Sequence, residues 1–207
     1  MIGRIAARAR RDDAGFTLVE LIVYCVILLV VMTIAGSIFL QIVRAQRDIG
    51  DMASANNEAQ LTFKELERDV RNAAAIRIAD GGKLIVMRTR VASDSNTDAW
   101  QCVGYYLDTG NEVLRVTRSS NSTATHNVLA QATSAGIRTA ASAWPVARDG
   151  FMAVGTTRPF GTIDGSFVYP GSVNLRLAAD SENGHDPVKL TKTVALRPQG
   201  SASLDCM

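Results

Sequence analysis

The segment from Leu21 to Leu40, LIVYCVILLVVMTIAGSIFL, runs for 20 residues without a charged side chain. At about 1.5 Å per helical residue it covers the roughly 30 Å of a bilayer's hydrocarbon core. Backbone amides find no water there, so the run is expected to be one helix that crosses in a single pass. Arg4, Arg8, Arg10 and Arg11 lie ahead of it, opposed only by Asp12 and Asp13. Under the positive-inside bias, this keeps the amino end in the cytoplasm and sends the bulk of the chain outside. The net charge of +2 resides in that leader, and the chain beyond Gly15 is neutral overall. Such a balance is no footprint for nucleic acid.

One carboxylate, Glu20, heads the apolar run. A secretory signal would be shorter and would end in small residues, and Thr33-Ile34-Ala35 offers such a cleavage site before Gly36. Apolar residues resume beyond it at Ile38-Phe39-Leu40. A plain anchor helix is the second reading, and for it an intramembrane acid costs about 3 kcal/mol at mid-bilayer, less near the interface. Neither reading gives Glu20 a purpose.

The stretch Gly15-Phe16-Thr17-Leu18-Val19-Glu20, after a short basic leader and before an apolar helix, resembles the processing site of type IV prepilins and type II secretion pseudopilins. The resemblance implies that prepilin peptidase, an integral-membrane aspartyl peptidase, cuts after Gly15 on the cytoplasmic side and methylates the new amino terminus at Phe16. Glu20 then becomes the fifth residue of the mature chain and is implied to pair with the terminal amine of a neighbouring subunit during filament assembly. Elementary electrostatics agrees: an acid one turn from a positive helix end and a positive amine is favourable.

Past the membrane, Ile49, Met52, Ala59, Phe63, Leu66, Val70 and Ala73 recur at three-four spacing, interrupted by Asn56. Asp48, Asp51, Glu58, Lys64, Glu65, Glu67, Arg68, Asp69 and Arg71 lie between them and are expected on a solvated face. The helix is thus expected to continue, with Gly36-Ser37 as its weakest point, since glycine costs about 1 kcal/mol in a helix. After Asp80-Gly81-Gly82 the pattern changes to strands: 83–91, 101–107, 112–117, 173–177 and 188–196, with a hairpin at Asp108-Thr109-Gly110-Asn111. Residues 119–170 are rich in Ser, Thr, Ala and Gly and are expected to be loops with short strands. The expected organisation is a leader (1–15), a transmembrane half-helix (16–40), a soluble amphipathic half-helix (41–78) and an extracytoplasmic β-rich head (79–207). The expected class is α+β, pilin-like, with one long helix packed on an antiparallel sheet.

FKELERDVRNAAAIRI (63–78) and CVGYYLDTGNEVLRVT (102–117) further resemble J-type minor pseudopilins and related minor pilins. Glu20 argues against the K-type, whose pattern lacks that acid. This resemblance implies a place in the small complex that starts the filament and caps its tip. It also implies as partners other minor and major pilins or pseudopilins, prepilin peptidase, the inner-membrane assembly platform, and the lipid bilayer before assembly. Other classes share parts of the pattern: a pilus-associated adhesin, a DNA-uptake minor pilin, or a membrane-anchored extracytoplasmic enzyme or sensor.

Catalytic chemistry finds little support. His126 and His185 sit in polar loop sequence, and no phosphate-cradling glycine loop, zinc spacing or nucleophile elbow occurs. No enzyme is expected. No cofactor is expected either, with calcium the one ion weighed. Asp94, Asn96 and Asp98 alternate, but an EF-hand would need glycine at Ala99 and glutamate at Tyr105. Asp180, Glu182, Asn183 and Asp186 offer oxygens without a recognisable order. Cys25, within the apolar run, is a small apolar filler, whereas Cys102 and Cys206 both fall on the oxidising side and are available to pair. Such a disulfide would close a loop of about 100 residues and stabilise the fold by about 4 to 5 kcal/mol in the chain-entropy model. Arg88, Arg90 and Arg115 lie on strands without interleaved aromatics, the pattern of a wet sheet face, and nucleic-acid binding is not expected.

Overall fold

The computed structural model of the chain describes residues 17–91, 99–162, 167–168, 171–180, 186–197 and 206. The chain divides into two units, Met1–Asp48 and Ile49–Met207. Helix α1, Leu18–Arg71, is 54 residues long, begins in the first unit and ends in the second. It is long and apolar enough to cross a membrane.

In the first unit, every described residue from 17 to 42 is exposed. The helix passes Gly36 and Ser37 unbroken, so the expected weak point is not a break. Its hydroxyls are satisfied internally: Thr33 Oγ1 donates to the Val30 carbonyl and Ser37 Oγ to the Ile34 carbonyl, both at 2.8 Å. That back-bonding lets hydroxyl side chains sit in a long apolar segment without an open donor.

In the second unit, α1 is followed by β1 (Ala73–Ala79), a 3-10 turn (Asp80–Gly82), β2 (Leu84–Val91), β3 (Ala99–Asp108) and β4 (Val113–Ser119). Two short helices come next, α2 (Thr123–Leu129) and α3 (Ser134–Ala141). The remaining strands are β5 (Val146–Asp149), β6 (Phe151–Ala153), β7 (Phe160–Thr162), β8 (Phe167–Val168), β9 (Ser172–Ala179) and β10 (Val188–Ala195). They form a six-stranded sheet of order β5-β4-β3-β2-β1-β8 and a four-stranded sheet in which β9 pairs with β10, β6 and β7. Every pairing is antiparallel. The class is α+β, a long amino-terminal helix followed by antiparallel sheets, consistent with a pilin-like fold.

Alternation along the strands divides the core in two. Ile85, Met87, Val103, Tyr105, Leu107 and Leu114 on one face of the large sheet meet Ala59, Phe63, Leu66 and Val70 of α1, and Val173, Leu175 and Leu177 of β9 close the same cluster. Leu84, Val86, Cys102 and Tyr106 on the opposite face are covered by Val128, Ile137, Ala141 and Trp144.

The structure differs from the sequence expectation in four places. The helix stops at Arg71 rather than near residue 78, and 73–79 is a strand. Ala73-Ala74-Ala75 are good helix formers, but pairing along β2 draws them into the sheet and buries them, and that tertiary gain overrides propensity. Residues 123–129 and 134–141, expected as loops, are helices that use Thr125, Val128, Ile137 and Ala141 to cover the sheet. The expected single sheet is two, because β9 finds its partners in the short strands β6 and β7 rather than in the first hairpins. The buried stripe of α1 also begins at Ala55, leaving Ile49 66% exposed.

Two glycines are required by geometry. Gly82 adopts φ +92°, and a Cβ there would lie 2.5 Å from the Phe160 carbonyl oxygen. Gly104 on β3 makes room for Trp144, since a Cβ would lie 2.5 Å from the indole Cη2. Gly104→Ala is therefore expected to displace Trp144 and destabilise the head by about 1–3 kcal/mol. Denaturant unfolding followed by tryptophan fluorescence checks this, and an unchanged midpoint and spectrum would contradict it.

Candidate functional site

The first turn of α1 is closed by Thr17 and Glu20. The Glu20 amide donates to Thr17 Oγ1 at 3.3 Å and the Leu21 amide to the Thr17 carbonyl at 3.2 Å, so Thr17 is the helix cap. Thr17 and Glu20 have the spacing of a capping box, and the carboxylate stands on the positive end of the helix. Its side chain is exposed and accepts from the Tyr24 hydroxyl at 3.5 Å, one turn further on. Gly15 and Phe16, the expected cleavage pair, lie outside the described residues. In sequence, the junction falls two residues before the helix start, and a terminus made there places its amine within one turn of Glu20.

In the second unit, the other end of α1 is held to the sheets by charge as well as by packing. Asp69, 5% exposed, accepts the Tyr105 hydroxyl at 2.7 Å and pairs with the Arg118 guanidinium at 2.7 Å. Arg118 also donates to the Tyr105 oxygen at 2.7 Å and reaches Glu65 at 2.8 Å. Lys192 of β10 pairs with Glu67 at 2.8 Å, the Arg197 amide donates to the Arg71 carbonyl at 3.1 Å, and Arg148 of β5 bonds Glu58 and, at 3.2 Å, the Ala55 carbonyl. Burial, reinforced by the Asp69 carboxylate, pushes the Tyr105 phenol far above its ordinary 10, and burial also raises Tyr106, which lies beside Asp80. The Lys192 hydrogen bond leads the effects that hold Glu67 below its ordinary 4.5.

These acids were expected on a solvated face, and for Asp69 and Glu67 that expectation fails. Asp69 follows Leu66 by three residues, so helical geometry places it at the border of the buried stripe, and this spacing was the signal available in the sequence.

The remaining candidates fall as follows. Cys102 and Cys206 are joined by a disulfide, with Cα atoms 5.4 Å apart across a separation of 104 residues, which fastens the carboxyl end to the outer face of the large sheet. Cys25 is free and exposed on α1. Of the calcium candidates, Asp94, Asn96, Asp98, Glu182 and Asn183 lie outside the described residues. Asp180 is half-buried with its amide bonded to the Gly150 carbonyl at 2.7 Å, and Asp186 is exposed. Among the described residues, no three His, Cys, Asp or Glu side chains are grouped to hold a metal.

His185 is also outside them, whereas His126 lies exposed in α2 rather than in a loop. Arg115 is not on a wet face, since it donates to the Ser142 and Trp144 carbonyls at 3.2 and 3.0 Å and holds the turn after α3. Arg88 stacks over the Trp100 ring at 4.7 Å, so one aromatic does adjoin the strand arginines.

Residues 10–36 match the prokaryotic N-terminal methylation motif, the class III signal of type IV pilins and pseudopilins. Neither a curated protein nor a solved structure matches the chain. The motif covers Gly15, Phe16 and Glu20 in register with the start of α1. A motif of this kind implies a pilin-type chain, processed by prepilin peptidase, assembling with other pilins and anchored through its apolar helix.

Two measurements test the joint between α1 and the sheets. Asp69→Ala leaves Arg118 without its main partner and is expected to cost about 3 kcal/mol, checked by urea unfolding of the detergent-solubilised chain. Tyr105 and Tyr106 keep their protons in the folded state above pH 10, where the unfolded chain loses them. Their contribution is complete below pH 10 and declines as pH rises beyond it, by up to about 1.4 kcal/mol per pH unit for each group. Glu67 acts oppositely: its tie to Lys192 contributes above pH 4.5 and fades as pH falls through its lowered value. Unfolding midpoints that stay level from pH 8 to 11 would refute the tyrosine argument, and Tyr105→Phe should flatten the decline.

Proposed function

We propose that this chain is a minor pilin or pseudopilin, with no enzymatic activity of its own, that works by taking its place in a filament. It is made as a prepilin with its amino end in the cytoplasm, cut between Gly15 and Phe16, and methylated on Phe16. Residues 16–40 hold it in the cytoplasmic membrane, head outside, until the inner-membrane assembly platform extracts it into a type IV pilus or type II secretion pseudopilus. The observation that carries this reading is the methylation motif on residues 10–36, in register with a helix that is exposed through its apolar half and buried in the head through its second half.

Glu20 is the assembly residue of this proposal. Before assembly its cost in the membrane is limited by its position in the first turn, beside the helix's positive end. In the filament it meets the methylated amine of a neighbour, which rewards correct stagger and leaves a misplaced subunit with an uncompensated charge. J-type character, suggested by residues 63–78 and 102–117, places the subunit in the initiating or tip complex. A subunit at the tip has no predecessor whose registration depends on it, so loss of its acid is milder than in a shaft subunit.

Amino-terminal mass analysis of the mature protein tests the reading. Methylated Phe16 is expected, Gly36 would indicate secretory cleavage, and an intact Met1 a plain anchor. Glu20→Val is expected to leave cleavage and membrane insertion intact while reducing recovery of the subunit in sheared filaments or with co-purifying pilins. Undiminished incorporation would remove Glu20 from the mechanism.

A further inference from the structure

The second unit carries two surfaces of opposite charge that its own fold leaves uncovered. The first is the outer face of the small sheet. Val173, Leu175, Leu177 and Val194 point into the core, so the alternate positions of β9 and β10 lie on the opposite face. Arg176, Lys189, Thr191 and Thr193 are exposed there, and Arg197 continues the alternation past the buried Leu196. Neither strand contains an acid. Arg176, Lys189 and Arg197 have no ion-pair partner among the described residues.

The second surface is a groove between α1 and β5, lined by Glu58, Leu61, Thr62, Val146, Arg148 and Asp149. Leu61 is 58% and Val146 46% exposed, and apart from Ile49 they are the only exposed large apolar side chains among the described residues of this unit. Arg148 is turned inward, 13% exposed and bonded to Glu58, while Asp149 stands exposed beside it. Asp51, two helical turns before Glu58 and on the same helix face, is exposed as well. β5 is also the end strand of its sheet.

We propose that this groove is the docking site for the basic β9–β10 face of a second copy of the chain. Charge selects the occupant: a face whose two strands bear no acid, and whose Arg176, Lys189 and Arg197 have no ion-pair partner among the described residues, meets a groove rimmed by Asp51, Glu58 and Asp149, whose one cation already serves Glu58. The aliphatic stems of Lys189 and Arg176 cover Leu61 and Val146. Each copy uses a different surface, so any pair leaves one groove and one basic face open, and the contact repeats along an assembly instead of closing it. The proposal rests on the chain being a filament subunit present in more than one copy, and so extends its place beyond a tip complex that holds it once.

The test uses two full-length, differently tagged copies produced together in the host membrane, both Cys25→Ser, one carrying Val146→Cys and the other Lys189→Cys, treated with a bis-maleimide. A mixed-tag dimer is expected. Adding Arg176→Glu and Arg197→Glu to the Lys189→Cys copy is expected to lower its yield about tenfold, and Asp51→Lys with Asp149→Lys in the other copy to restore it. Protease resistance of the heads confirms that each variant is folded. Processed, methylated Phe16 without a mixed dimer overturns the docking while the pilin reading stands. An intact Met1 overturns the pilin reading, and the docking with it. An adduct of Val146→Cys with a different protein, or a dimer yield indifferent to charge, overturns the choice of a second copy.

Discussion

The buried contact between Asp69 of α1 and the Arg118–Tyr105 pair of β4 and β3 is the interaction around which the head is arranged. An apolar stripe alone would let the helix slide or rotate against a sheet with little penalty, because hydrophobic burial is not directional. A desolvated carboxylate that must find one guanidinium and one phenol admits a single register. With Asp69 so placed, Phe63, Leu66 and Val70 fall between the two sheets, and Glu58, Glu65 and Glu67 come within reach of Arg148, Arg118 and Lys192.

The same helix obeys two solvents. From Leu18 to Leu40 it carries a single charged side chain, and Thr33 and Ser37 turn their hydroxyls back on their own backbone. From Ala55 onward one face is core and the other is charged. The exception in the first stretch is Glu20, and its setting explains how it is tolerated. Thr17 caps the helix and the acid sits at the third position of the first turn. The charge is thus kept at the edge of the apolar run, on the positive end of the helix.

How much was legible depends on whether a signal was local. Strands β2, β3, β4, β9 and β10 alternate and are bounded by turn residues, so they stand out within a residue or two of their observed ends. The turns at 80–82 and 108–112 are equally local. Asp108 closes the second through bonds to the Gly110 amide and the Asn111 side chain, at 3.1 and 2.7 Å. β1 was hidden because three alanines carry no period and favour a helix in isolation. α2 and α3 were hidden because Ser, Thr, Ala and Gly read alike in loops and in small covering helices. Asp69 was half legible: its spacing from Leu66 sets it at the border of the apolar stripe, but its burial depends on a partner 49 residues away.

By itself the sequence determined the properties set by the chain's own composition and spacing: one run long and apolar enough to cross a membrane, a basic stretch before it, a methylation motif over residues 10–36 with Glu20 in the first helical turn, and an amphipathic continuation into a strand-rich head. Each of these is a matter of neighbours along the chain, where period, charge and helix polarity act within a few residues. Only the tertiary structure decided that the strands divide into two sheets, that Cys102 meets Cys206, that Asp69 is a buried tie and not a solvated charge, and that a basic sheet face and an acidic groove are left open. Those depend on which distant segments pack together. Burial changes the energy of a charge or a cysteine pair more than any local preference does.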